Sequence, residues 1–356
     1  MLDVGKARSG PVAVNYLRVS ITDRCDLRCT YCTPMRTAAG APRGDLLTFE
    51  EICAVVRVAA GLGIDKVRIT GGEPLGRPGV AWLLGDLAAV PGLLDRALTT
   101  NGTRLKEFVP VLVPLGYRVN VHLDTLDPVR YLEVCGRGSP ERAPGQALAP
   151  VLEGIEAALA AGLRVKINSV CVPGSTVQDA LALARFGLER GADVRFIEAM
   201  PVAGGWVDVD RPEPASTAAK DGCTFRSPLP GCPGSSQEAH ATSLALEESL
   251  KAAMALVPDG LDGVARVYAV PGTTARVGFI TPSHARFCAG CHKLRLSSRG
   301  ILRTCLFAEA GTDLRPFLRG QGPEALRGAV AEVVDRKNAS AGREGCEIAS
   351  MVGIGG

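Results

Sequence analysis

Apolar and β-branched residues alternate with polar ones in six short runs along the first part of the chain: YLRVS (16–20), KVRITGG (66–72), RALTTNG (96–102), YRVNVHLD (117–124), RVKINSVCV (164–172) and DVRFIEAM (193–200). A period of two marks a strand that buries one face, and each run stops near glycine or polar residues. Between the runs the spacing becomes helical. Thr48, Glu50 and Glu51 open one stretch that continues through Ile52, Val55, Val56 and Ala59, and Leu148, Leu152, Ile155 and Leu159 mark another. Strands and helices taking turns in this way form right-handed βαβ units around a parallel sheet. The pattern predicts an α/β fold, with a partial or full (β/α) barrel preferred over an open doubly wound sheet.

After Pro201 the alternation stops. Residues 203–240 are rich in Gly, Pro, Ser and Ala without any period, and read as a linker or mobile insertion. Beyond it the spacing predicts a helix from Leu244 to Leu256 with Thr242 or Ser243 as N-cap, short strands VARVYAV and ARVGFIT, and a last helix from Glu324 to Lys337. The chain therefore divides into 1–202, 203–240 and 241–356.

At 356 residues with 46% hydrophobic content there is ample material for a core, and a net charge of +3 gives no electrostatic reason to expect nucleic acid or an anionic membrane as partner. No apolar run is long enough for a signal peptide or a membrane span, so a cytoplasmic protein is expected. In that setting twelve cysteines read as metal or redox ligands before they read as disulfides.

The cysteines fall into two sets of three. DRCDLRCTYCT holds Cys25, Cys29 and Cys32; FCAGCHKLRLSSRGILRTC holds Cys288, Cys291 and Cys305. Structural zinc fills four corners with protein ligands and usually draws its cysteines as pairs from two places. A [4Fe–4S] cubane on three thiolates keeps one iron for another ligand. Zinc completed by His292 or Cys346 stays open for the second set taken by itself. Cys53, Cys135 and Cys171 read as small buried residues, and Cys223 and Cys232 as loop thiols.

CDLRCTYC resembles the C-x3-C-x2-C signature of the radical S-adenosylmethionine (SAM) enzymes, and Gly71, Gly72, Glu73 and Pro74 match the segment that binds the SAM amino group in that superfamily. YLRVSITDRC, LLTFEEI, KVRITGGEPL, LTTNG, VKIN, RFIEAMP, FCAGC, LRLSSRG, CLFA and the closing Gly355-Gly356 are similar, in order, to the MoaA family, the GTP 3′,8-cyclases that start molybdenum cofactor synthesis. The resemblance implies a radical SAM partial barrel over 1–202 and an auxiliary-cluster region with a Gly-Gly tail over 241–356. It implies two [4Fe–4S] clusters, one on each cysteine set, with SAM on the open iron of the first. One electron would then cleave SAM to a 5′-deoxyadenosyl radical that removes H3′ from GTP, and the ribose radical would close on C8 to give (8S)-3′,8-cyclo-7,8-dihydroguanosine 5′-triphosphate. By the same resemblance Tyr31, Gly72, His122 and Met200 fall where SAM contacts are expected. Arg18, Arg68, Thr99, Lys166, Lys293 and Arg295 fall where the nucleotide is held, with Arg18, Lys293 and Arg295 nearest the chemistry and Lys66 and Arg195 as further candidates on the sheet. The implied partners are an external reductant such as flavodoxin or ferredoxin and a downstream cyclic pyranopterin synthase, with the enzyme a monomer or homodimer.

Three features depart from the family pattern. His292, Lys293, Leu294 and Arg295 stand where the family has Asn-Arg-x-Arg, and lysine lacks the planar fork of arginine. His122 in VHLD stands where a serine is common, and the 203–240 segment is expanded. These departures keep a second reading in view, a related enzyme acting on another nucleotide or a peptide, and beyond it a noncatalytic iron–sulfur sensor or scaffold.

Overall fold

The computed structural model describes residues 14–32, 43–135, 144–172, 174–199, 236–281, 291–306, 308 and 310–339. Met200, Cys223, Cys232, Cys288, Cys346 and the Gly355-Gly356 tail lie outside them. The six expected strands are β1 (Tyr16–Ser20), β2 (Lys66–Thr70), β3 (Asp95–Thr100), β4 (Arg118–His122), β5 (Val165–Cys171) and β6 (Asp193–Glu198), and they pair in that order, all parallel. The helices are α1 (Phe49–Gly61), α2 (Val80–Ala88), α3 (Leu105–Leu112), α4 (Pro128–Cys135), α5 (Pro144–Ala160), α6 (Val177–Glu189), α7 (Ser236–Met254) and α8 (Pro323–Ala339). Alternate strand residues such as Leu17, Val19, Val67, Ile69, Val119, Val121 and Ile167 are buried and form one core with Ile52, Val55, Leu83, Val151 and Leu183 of the helices. This is the burial that the period-two pattern encodes.

Helix α1 begins where the sequence places it. The Thr48 hydroxyl accepts from Glu51 N at 3.2 Å while the Glu51 carboxylate accepts from Thr48 N at 2.8 Å, a reciprocal cap that satisfies two otherwise orphaned amides. Helix α7 corrects an expectation: it starts at Ser236, so Thr242 and Ser243 lie inside it and neither caps it, and it ends at Met254. The overlooked signal is the Ser-x-x-Glu spacing of Ser235 and Glu238.

The rest of the chain extends the sheet at both sides. The elements β7 (Val257–Asp262), β8 (Ala265–Ala269) and β9 (Arg276–Ile280) include the two short strands expected there, β10 (Lys293–Leu296) and β11 (Ile301–Arg303) lie between Cys291 and Cys305, and β12 (Thr312–Asp313) follows Cys305. β9 joins β6 in parallel, with β8 and β7 antiparallel beyond it; β10 joins β1 in parallel, with β11 and β12 antiparallel beyond. The result is a single twelve-stranded sheet, β12-β11-β10-β1-β2-β3-β4-β5-β6-β9-β8-β7, whose eight central strands are parallel.

Candidate active site

The loops at the carboxyl ends of the parallel strands converge on the first cysteine set, the end where (β/α) folds carry their chemistry. Arg28 N and Thr30 N donate to Cys135 O and Val134 O, seating the cysteine loop on the last turn of α4. On its other side Gly72 N donates to Thr22 O and Glu73 N to Arg24 O, both at 2.8 Å. The approach is so close that a Cβ on Gly71 would lie 2.6 Å from Thr22 O, and one on Gly72 2.2 Å from Arg24 O. Glycine at both positions is therefore a steric requirement of the contact between the two loops.

Glu73 is buried and accepts from Leu75 N at 2.9 Å, Thr100 Oγ1 at 2.8 Å and Asn101 N at 2.7 Å. Burial pushes its carboxyl up to about 7 against these three donors. Asn101 carries the link onward, its side-chain amide donating to Asp26 Oδ1 at 2.7 Å, and Thr103 Oγ1 donates to Asp26 Oδ2 at 2.9 Å. The ends of β1, β2 and β3 are thus stapled into one floor around Cys25, Cys29 and Cys32. These three thiols are partly exposed and outside any disulfide. Burial raises the Cys25 thiol well above its ordinary range, so a thiolate there requires a cationic partner, which iron supplies. Three thiols on one loop, Cys25, Cys29 and Cys32, fit a cluster with one open iron.

The end of β4 forms the wall beside Cys29. Asp124 Oδ2 lies 2.9 Å from the Tyr31 hydroxyl that donates to it and 2.8 Å from His122 Nε2, and Asp124 Oδ1 accepts from Val170 N at 2.7 Å; Tyr31 and His122 also bond each other. Burial disfavours the His122 imidazolium, but the Asp124 carboxylate outweighs it and lifts the ring to about 9. Cys135 is buried as expected, yet its Sγ, the Cys29 Sγ and a His122 ring nitrogen all lie within 4.8 Å of one another. The sequence gives no role to Asp26, Asn101 or Asp124, and reads Cys135 only as a small buried residue. Their one available signal is position, each lying just past a strand end or at the close of the helix that follows.

Cys291 and Cys305, the described members of the second cysteine set, lie at the opposite end of the strands. Tyr16 is level with Lys293, and Arg295 is level with Arg303 on the antiparallel β11. Cys291 therefore precedes β10 and Cys305 follows β11 at the amino end of β1, whereas the first set follows its carboxyl end. At about 3.3 Å per strand residue the two ends are on the order of 15–20 Å apart. Cys291 and Cys305 are partly exposed thiols.

Between the two ends, the sheet face turned away from the core is cationic. Arg303, Arg295, Arg18 and Arg68 stand side by side on β11, β10, β1 and β2. Lys293 Nζ and the Arg68 guanidinium lie 5.6 Å and 5.5 Å from the Tyr16 ring centre. Thr99, Asn120 and Lys166 form a second row on β3, β4 and β5, and Arg195 on β6 is level with Asn168. Burial first, then Arg295 and Arg68, push the Arg18 guanidinium down to about 9, which leaves it charged at neutral pH; burial and then Arg18 push the Lys293 ammonium down to about 7. Among the described residues Arg68 Nε, Thr99 Oγ1, Asn168 Oδ1, Arg195 Nε and Arg303 Nε are buried without a hydrogen-bond partner. Buried polar atoms are rarely left so, and a row of them on one cationic face fits a polyanionic ligand that carries many acceptors. The structure thus gathers Arg18, Arg68, Thr99, Lys166, Lys293 and Arg295 on one face, adds Arg303 and Arg195, and places Tyr31, Gly71 to Pro74 and His122 around the first cysteine loop.

The family described as "Radical SAM superfamily" matches residues 19–187, and "Molybdenum Cofactor Synthesis C" matches residues 230–342. A protein named GTP 3′,8-cyclase from Alkaliphilus metalliredigens is 37% identical over 331 residues, covering 91% of each chain. One of the same name from Moorella thermoacetica is 38% identical, covering 89% of this chain and 88% of its own. Among solved structures, Streptococcus suis SuiB bound to S-adenosylmethionine shares the fold at a TM-score of 0.59 and 16% identity, over 90% of this chain and 68% of that one. Similarity of this extent in sequence, together with the two-ended arrangement of cysteine loops around a cationic face, identifies the chain as a member of the GTP 3′,8-cyclase family of the radical SAM superfamily.

Proposed function

We propose that the protein is a GTP 3′,8-cyclase of molybdenum cofactor biosynthesis, converting GTP to (8S)-3′,8-cyclo-7,8-dihydroguanosine 5′-triphosphate. The single observation that carries the reading beyond family membership is the row of guanidiniums between two cysteine loops at opposite ends of the sheet, a span suited to a nucleotide. Cys25, Cys29 and Cys32 would hold a [4Fe–4S] cluster, and Cys291 and Cys305, with Cys288, a second. When bound with SAM, the first cluster supplies the electron that generates the 5′-deoxyadenosyl radical. The chain's own residues do the positioning. Gly71 to Pro74 present the backbone that meets the SAM amino group, Tyr31 and His122 wall the other side, and the Asp124 carboxylate holds both in place.

Arg18, Arg68, Arg295, Lys293 and Lys166 hold the triphosphate by charge and by paired donors, which fixes the ribose relative to the first loop. The reductant is a small one-electron donor such as flavodoxin or ferredoxin, the product passes to a cyclic pyranopterin synthase, and the setting is the cytoplasm. Among the described residues no helix is long and apolar enough to cross a membrane.

The test is anaerobic reconstitution with iron and sulfide, followed by SAM, dithionite and GTP, ATP or UTP, with products weighed by mass spectrometry. GTP alone should give a product isomeric with the substrate, in step with 5′-deoxyadenosine. A cyclised product from ATP or UTP at a comparable rate would favour a related enzyme of other specificity.

A further inference from the structure

One carboxylate on the cationic face comes from outside the parallel sheet. Asp262 ends β7, the last strand at one side, and its Oδ2 lies 2.7 Å from Lys166 Nζ on β5 and 2.6 Å from Arg195 Nη2 on β6. Along a flat sheet with strands about 4.8 Å apart, β7 would stand about 14 Å from β6 and about 19 Å from β5, too far for these contacts. The edge hairpin therefore curls back over the inner face. Its pairing slips between Pro258 and Leu261, and Gly260 and Gly263 on either side of the aspartate have φ of +94° and +64°, which suits the bend.

The pairing is lopsided. The side chains of Lys166 and Arg195 are 14% and 11% exposed, whereas that of Asp262 is 54% exposed. Two largely buried cations are capped by one anion laid on them from the solvent side. Asp193 is the other carboxylate near Lys166, at 3.7 Å, and it already accepts from Arg276 N at 3.0 Å. Arg195 Nε is buried and has no partner among the described residues even with Asp262 in place. Arg118, by contrast, is matched within the sheet by Asp95 of the next strand, at 2.9 Å from its Nε.

We propose that Asp262 is an affinity- and specificity-determining residue: its carboxylate occupies the place of a nucleotide phosphate on Lys166 and Arg195, and the polyphosphate of the substrate displaces it on binding. This rests on the reading that nucleotide phosphates lie on the cationic face. The competition sets a threshold. A ligand without phosphate leaves the pair intact, while a triphosphate replaces one exposed carboxylate with several charged oxygens and reaches the idle Arg195 Nε as well.

The experiment is calorimetric binding of GTP and of guanosine, without reductant, to the anaerobically reconstituted full chain and its Asp262→Asn, Asp262→Ser, Lys166→Met and Asp262→Asn/Lys166→Met variants. Both single Asp262 variants should bind GTP about three- to tenfold more tightly than the wild type, guanosine should bind the wild type and all four variants equally, and the gain should vanish in the double variant. Two neutral replacements with one outcome separate loss of the charge from a folding defect. Unchanged or weaker GTP binding in both, with Lys166→Met still weakening it, would overturn the proposal and leave the phosphate reading standing. GTP and guanosine binding the wild type alike, with Lys166→Met silent, would overturn that reading and the proposal with it.

Discussion

Replacing Arg18 with glutamine should lower conversion of GTP about a hundredfold, roughly 3 kcal/mol of transition-state stabilisation, while SAM is still cleaved to 5′-deoxyadenosine. Arg18 stands inside the row, level with Arg295 on one side and Arg68 on the other, and it is partly buried among them. A phosphate chain that bridges β10 and β2 must pass over it. The same crowding predicts what the change does to the fold. Like charges brought together at low dielectric cost stability in the absence of a ligand, so removing one relieves repulsion. The variant should therefore melt no lower than the wild type, and its iron content should be unchanged, because the first cysteine loop is stapled by Thr22, Glu73, Asn101 and the end of α4 and not by Arg18. A loss of thermal stability equal to the loss of activity would mark Arg18 as a structural residue.

A complete loss of nucleotide product should follow replacement of Cys291 and Cys305 by alanine, with iron falling from about eight to about four per chain and SAM cleavage largely kept. The separation of effects comes from topology. These cysteines flank β10 and β11 at the amino end of β1, while Cys25, Cys29 and Cys32 follow its carboxyl end, so among the described residues no backbone bond of the first loop depends on them. Replacing the first three instead should abolish both activities. Tightly held zinc at the second set, or equal loss of both activities when it is removed, would show that the two ends do not divide the work in this way.

The six parallel strands are legible in the sequence because each buries one face against helices, and that burial forces the alternation. The cysteine loop and Gly71 to Pro74 are legible through their spacing and their resemblance to the radical SAM signature, and for Gly71 and Gly72 the structure gives the local reason: their contact with Thr22 and Arg24 leaves no room for a Cβ. The outer strands are hidden. β10, β11 and β12 span four, three and two residues, too short for a period to show, and the strand that β10 joins, β1, is distant in sequence. β7 reads VPDGLD, with a proline and a glycine in a strand exposed along its whole length. The place of Asp262 over Lys166 and Arg195 comes from the curl of the sheet, which no local pattern encodes. Arg303 is legible only afterwards, once β11 is seen to set it beside Arg295. For His122 the sequence gives the departure from serine, and the structure adds the tether through Asp124 and Tyr31.

The most direct measurement is a single anaerobic turnover with GTP carrying deuterium at C3′ and unlabelled SAM. With the triphosphate fixed on the guanidinium row and SAM against Gly71 to Pro74, the ribose should be the carbon centre presented to the first cysteine loop. Deuterium should then appear in 5′-deoxyadenosine, one atom per product formed, and the nucleotide product should have lost it. Unlabelled 5′-deoxyadenosine alongside a product that retains deuterium at C3′ would contradict abstraction at that carbon, and with it the assignment as a GTP 3′,8-cyclase.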